Sequence, residues 1–284
     1  MIRTSFIGAN GLGRHGWART LGTLALMIGA GLAGAVVVRS VVFPVVRTTL
    51  ADAPEPVRSG VLALMAGAIF ACAIAGLVIG VRRLHQRSVR SLVTSAGRFR
   101  TGQLILGLVL SAGLVGATTY ALDPGGLKPL SGLPLSALGF TFLAMLIGFS
   151  IQASAEEIIF RGYVLQVARR GFRAVWPAVG LSGLLFTLAH LGYGVESAIA
   201  SLIFAICLTV VVLLLGGLEF AMGVHIGNNF IIGLLFQDLS DANAPSASGI
   251  AWDELATTAA IALVLIGAAA LMRRLARPVG SVEG

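Results

Sequence analysis

Charged residues are scarce in this chain. Of its 284 residues only 11% are Asp, Glu, Lys or Arg, while 57% are hydrophobic and mean hydropathy is +0.94. So few charges cannot cover a soluble core of this size, which excludes an ordinary water-soluble globule and places the chain in a bilayer. Lysine is almost missing: nineteen of the twenty basic residues are arginines, most of them in short connections between apolar runs. That distribution excludes the long basic tail or aromatic-interleaved patch of a nucleic-acid binder. The net charge of +8 is therefore a topology signal, and no nucleic-acid partner is expected. The two cysteines, Cys72 and Cys207, lie inside apolar runs, which excludes a disulfide framework or a cysteine-based zinc cluster. The sequence also lacks a His-Glu-x-x-His signature, an internal repeat and a second, soluble domain.

What it has in abundance is apolar runs near the ~20 residues that cross a bilayer. They are Leu21–Val45, Gly60–Val81, Leu104–Leu122, Phe142–Val167, Val175–Gly192, Ala198–Leu215, Leu218–Phe236 and Leu255–Met272. The fold class expected is an all-α integral membrane protein, a bundle of about eight transmembrane helices. The first run follows Arg3, Arg14 and Arg19 and is longer than the apolar region of a signal peptide, so it is read as an uncleaved anchor.

Arginine placement sets the expected orientation. With the N-terminus in the cytoplasm, fifteen basic residues fall inside: Arg3, Arg14, Arg19, Arg82, Arg83, Arg87, Arg90, Arg98, Arg100, Arg169, Arg170, Arg173, Arg273, Arg274 and Arg277. Only Arg39, Arg47, Arg58 and Lys128 fall outside, and Arg161 lies within a span. Both termini of this multi-pass cell-membrane protein are thus expected in the cytoplasm. Asp238, Asp241, Asp253 and Glu254 gather on an outer loop, and Glu196 and Glu219, at span ends, are expected at the interface. The connection Arg82–Gln103 suits an amphipathic interfacial helix. The chain divides into three spans with a basic cytoplasmic loop (1–134), four further spans (135–237), and an outer acidic loop with the last span and tail (238–284).

Against this apolar background, Glu156, Glu157 and Arg161 stand inside the fourth run, and His190, His225 and Asn229 in apolar surroundings further on. An ionisable group at such depth costs at least ~2.5 kcal/mol on insertion scales, so a functional site is the first hypothesis. The spacing lets these residues meet. If Gly171–Arg173 is the turn between the fourth and fifth spans, Glu156 lies seventeen residues before Arg173 and His190 seventeen after it. Both then stand roughly 25 Å above the turn. Counting from an inner turn at Gly216–Gly217, His225 and Asn229 stand roughly 12 and 18 Å above it. Glu157 and Arg161, His225 and Asn229, and Phe186 and His190 are each four residues apart and share a helix face, whereas Glu156 points about 100° from Glu157. Glu157 is accordingly expected to pair with Arg161, leaving Glu156 to face the other helices. Gly223 and Gly227 form a small-xxx-small pair around His225 that admits a neighbouring helix.

The order Glu-Glu-x-x-x-Arg (Glu156, Glu157, Arg161), Phe-x-x-x-His (Phe186, His190) and His-x-x-x-Asn (His225, Asn229) resembles the CPBP family of intramembrane proteases. That family includes the type II CAAX prenyl endopeptidases and bacterial relatives of the Abi type. The resemblance covers roughly 142–237 and makes 135–237 a CPBP-like protease core. It implies hydrolysis of a peptide bond in a membrane-associated protein or peptide, with membrane lipids as the other partners. Carried onto this chain, it makes Glu156 the water-activating base, His190 its partner, and His225 with Asn229 the rest of the catalytic set, supported by Glu157, Arg161 and Phe186. It also points to a bacterial source.

Two chemistries fit these residues. Glu156, His190 and His225 could form a His₂Glu zinc site, which would make the protein a metalloprotease. Alternatively, Glu156 acts as base without metal, and His225 and Asn229 form the oxyanion hole. Two other functional classes share the features: a catalytically silent membrane partner or immunity protein of the same fold, and a proton-coupled transporter. The transporter lacks support in paired halves or matching Pro/Gly-broken helices. His225 and Asn229 could also serve merely to fasten helices.

The topology is tested by alkaline phosphatase fusions after Gly125 and after Arg87. Activity is expected only at Gly125; the reverse pattern overturns the orientation.

Overall fold

The computed structural model describes residues 4–8, 12–128, 130, 132–236, 239 and 252–276, except the side chains of residues 4, 5 and 193. Arg3, Asp238, Asp241 and Arg277 lie outside the described residues, as does most of the outer acidic loop. Among the described residues, eight apolar helices follow a single helical turn at Thr4–Gly8. They are α1 Trp17–Thr49, α2 Glu55–Arg83, α3 Thr101–Leu122, α4 Leu135–Gly171, α5 Val175–Ala189, α6 Val195–Leu215, α7 Glu219–Leu235 and α8 Trp252–Leu275. This is the expected multi-pass helical membrane fold. Six helices are long and apolar enough to cross a bilayer, whereas α5 has 15 residues and α7 has 17.

The length differences have local causes. α4 runs 37 residues, about 55 Å at the helical rise, and so overshoots a hydrocarbon core of roughly 30 Å. The sequence suggested that α5 continues to Gly192, but the helix ends at Ala189 and His190 sits in the following turn. Gly194, at φ +98°, then swings the chain into α6.

The bundle is built around α7. From Glu219 to Gly227 every residue of it is buried, enclosed by α3, α4 and α6. Glycine makes this enclosure: a Cβ on Gly223 would run into the carbonyl of Leu104, and one on Gly227 into that of Leu108. The small-xxx-small pair thus brings α7 against the α3 backbone.

Two expectations fail at the arginine-rich end. The connection 84–100 forms no amphipathic helix beyond the 3₁₀ turn Val89–Leu92. It is a strap hydrogen-bonded to the α6–α7 turn instead. Thr94 pairs antiparallel with Gly217, Ser95 donates through N–H and Oγ–H to the Gly216 carbonyl, and Leu218 N–H donates to Val93. Gly216, left-handed at φ +70°, ends α6 and exposes the carbonyl that the strap uses. Nor is Glu219 interfacial. It is fully buried and receives both the Nε and Nη2 of Arg100, at 3.0 and 2.5 Å, while Arg100 Nη1 caps the Leu215 carbonyl at 2.8 Å. A carboxylate at an α7 start also faces the positive end of that helix's dipole.

The strap reaches α4 as well. Tyr163 O–H donates to His85 Nε2 at 3.0 Å, and His85 Nδ1–H donates to the Arg14 carbonyl at 2.9 Å. Burial lowers the affinity of His85 for a second proton, and neighbouring Arg87, Arg170 and Arg19 add to that effect. Arg87 hydrogen-bonds Gln166 and Ser91; burial brings its guanidinium down to about 10, so it remains charged at neutral pH.

Gly223→Ala is expected to lower stability by about 1–3 kcal/mol, the usual cost of overpacking, seen as a reduced melting temperature of the purified protein in detergent. Gly180→Ala, which meets open space, should leave it unchanged. Equal melting temperatures for the two variants would contradict the close α3–α7 contact.

Candidate active site

The site begins at a break in α4. Regular helix runs from Leu135 to Glu157, and then Ile158–Val164 widens into a π-helical segment. Such segments shift the register of hydrogen bonds and are frequent at functional sites. Ser182 on α5 supplies one compensating bond, its hydroxyl donating to the Phe160 carbonyl at 2.9 Å.

Arg161, inside the π segment, is completely buried. A solitary guanidinium there would be very costly, yet three partners surround it. Nη1 donates to Glu157 Oε1 at 2.8 Å, Nη2 donates to the Ala205 carbonyl at 3.3 Å, and the guanidinium carbon lies 4.4 Å from the centroid of Phe186. The last contact is a cation–π interaction in a dry setting. The expected Glu157–Arg161 pair is therefore present.

Glu157 Oε1 also meets His225 Nδ1 at 2.9 Å. Because a carboxylate accepts and does not donate, Nδ1 carries the proton, and the ring is fixed with Nε2 pointing onward. Nε2 lies 3.8 Å from Glu156 Oε2. That gap exceeds a hydrogen bond. The edges of Phe186 and Phe204, at centroid distances of 5.9 and 5.3 Å, pack around the same imidazole.

Glu156 is 4% exposed, and its two oxygens differ. Oε1 accepts from Gln152 Nε2 at 3.1 Å, whereas Oε2 is buried and has no hydrogen-bond partner among the described residues. One oxygen is held and the other remains chemically available. The adjacent glutamates thus have different settings, as their 100° offset suggested.

Phe186 gathers the other residues. His190 stacks on it with 4.4 Å between centroids and donates from Nδ1–H to its carbonyl at 2.8 Å, leaving Nε2 as the ring's second polar atom. Asn229 is half-buried one helical turn beyond His225, and its Oδ1 accepts from Asn228 at 3.0 Å. The structure brings Glu156, Glu157, Arg161, Phe186, His190 and His225 into one connected group. Asn229 stands one helical turn along α7 from His225, on the same helix face.

Sequence reasoning missed Gln152, Phe204, Ser182 and Ala205. Only Gln152 carried a readable signal, its position four residues before Glu156. As for zinc, no group of three His, Cys, Asp or Glu side chains among the described residues is arranged to hold a metal ion. Glu156, His190 and His225 therefore do not make a preformed ligand shell.

A multi-span helical bundle with a buried Glu-Glu/Arg/His cluster in its second half defines a class of membrane proteins with a polar intramembrane site. The comparisons narrow it. Residues 137–231 match the model of the Rce1-like family, described as type II CAAX prenyl endopeptidase Rce1-like. The matched stretch runs from α4 into α7 and contains all seven motif residues. Over 173 residues the chain is 25% identical to YyaK, an uncharacterized protein of Bacillus subtilis (strain 168), with 58% of each chain covered. The chain therefore spans well under two thirds of the length of that relative. No solved structure matches.

Glu157→Gln is expected to destabilise the fold by about 3–5 kcal/mol, because it strips the buried Arg161 of its counter-charge. Thermal unfolding in detergent reads this directly; an unchanged midpoint would mean that Arg161 does not depend on Glu157.

Proposed function

We propose that the chain is an intramembrane endopeptidase that hydrolyses a peptide bond of a membrane-associated protein or peptide, with Glu156 as the base. The observation that carries this reading is the unpartnered, buried Oε2 of Glu156 beside the fixed imidazole of His225. The CAAX-protease match over the same residues supports it.

In this reading the reaction runs as follows from the residues of the cluster. Glu156 Oε2 takes a proton from water as the water oxygen attacks the scissile carbonyl carbon, and Gln152 holds the other carboxylate oxygen. His190, through Nε2, orients that water. Asn229 donates from its amide to the developing oxyanion, and the imidazole of His225, held by Glu157, stands beside it. Glu156 then passes its proton to the leaving amine as the carbon–nitrogen bond breaks.

No step in this mechanism requires a metal. Zinc remains the competing chemistry: it would need Glu156, His190 and His225 to draw together as ligands, and it would supply Lewis-acid activation of water. In the proposed orientation both termini are cytoplasmic, and a bacterial source agrees with the Bacillus relative. Turnover itself separates the endopeptidase from a silent protein of the same fold.

Glu156→Gln is expected to abolish cleavage by the purified protein while leaving its melting temperature nearly unchanged. Asn229→Ala should lower kcat by about 10²-fold or more with little change in KM, as for loss of one oxyanion donor. Wild-type turnover in Glu156→Gln contradicts the assignment of the base. One zinc per active chain by elemental analysis, lost in His225→Ala, would replace the metal-free mechanism with the zinc one.

A further inference from the structure

A second feature lies at the arginine-rich end, remote from the glutamates. Between the start of α3 and the end of α8 opens a groove of about 570 Å³ whose lining includes Arg98, Phe99, Arg100, Gln103, Leu106 and Met272. We propose that it binds an anionic phospholipid through its phosphate.

The lining divides by chemistry along the direction that a lipid would take. Arg98 is exposed at the mouth, and Arg100, although paired with Glu219, adds N–H groups beside it. Phe99, Leu106 and Met272 form the apolar wall, with Phe99 and Leu106 45% and 46% exposed. A soluble anion would use only the arginines. A phospholipid uses both parts, with phosphate at the rim and acyl chain along α3 and α8. Basic pockets between helices at the cytoplasmic surface characteristically hold such heads.

Occupancy has a structural consequence. Arg100 joins the strap to Glu219 and the Leu215 carbonyl, so a phosphate that touches Arg100 reinforces the base of α7.

Native mass spectrometry and thermal unfolding of the delipidated, purified full chain test this. The probes are dioleoyl phosphatidylglycerol, dioleoyl phosphatidylcholine and soluble glycerol phosphate. Phosphatidylglycerol alone should remain bound and raise the melting temperature. Arg98→Ala should weaken its retention about fivefold, the usual contribution of one interfacial arginine. Arg98 is exposed, so its variant should fold, and the unliganded melting temperature verifies this. Equal retention of phosphatidylcholine, or retention indifferent to Arg98→Ala, overturns the proposal. Equal stabilisation by glycerol phosphate would assign the groove to a soluble anion and overturn the lipid reading.

Discussion

The triad Arg161–Glu157–His225 is the contact on which the rest of the molecule turns. A buried guanidinium is tolerated only when a carboxylate, a carbonyl and an aromatic face surround it. Each of these comes from a different element: Glu157 from α4, Ala205 from α6 and Phe186 from α5. The oxygen of Glu157 that neutralises Arg161 also fixes the His225 ring from α7. One charge requirement therefore ties four helices together and aims an imidazole at Glu156.

Other features serve to keep that geometry. The π segment shifts Arg161 and Tyr163 relative to the rest of α4, so that one turns toward Glu157 and the other toward His85 at the arginine-rich end. Glycines 223 and 227 press α7 against α3, and the Arg100–Glu219 pair fixes its first turn. His225 lies between these two constraints, only six residues from Glu219. A histidine held this firmly needs little reorganisation during reaction, the condition under which oriented dipoles are most effective.

Much of this was legible in the sequence because membrane burial simplifies the code. Runs of apolar residues located the helices, and the rarity of charge made Glu156, Glu157 and Arg161 conspicuous. Helical spacing identified the Glu157–Arg161 pair and the Gly223–Gly227 contact. What escaped depended on irregular backbone or on long-range partners. Nothing in residues 158–164 announces a π segment, so the exact facing of Arg161 could not be read. Glu219 looked interfacial because its partner, Arg100, lies more than a hundred residues earlier, across a strap that resembled an amphipathic helix. His190 seemed to lie within a span, since the chain stays apolar for two residues after α5 ends. Gln152 was overlooked because an uncharged amide in a helix carries little weight until its acceptor is known.

The central claim is that Glu157 fixes His225 with the proton on Nδ1, leaving Nε2 for the chemistry at Glu156. Nitrogen-15 NMR of histidine-labelled protein, with the His225 signal assigned by its loss in His225→Gln, measures this state directly. The account predicts a protonated Nδ1 at neutral pH that becomes averaged between tautomers in Glu157→Gln. An unprotonated Nδ1 in the native protein would contradict it.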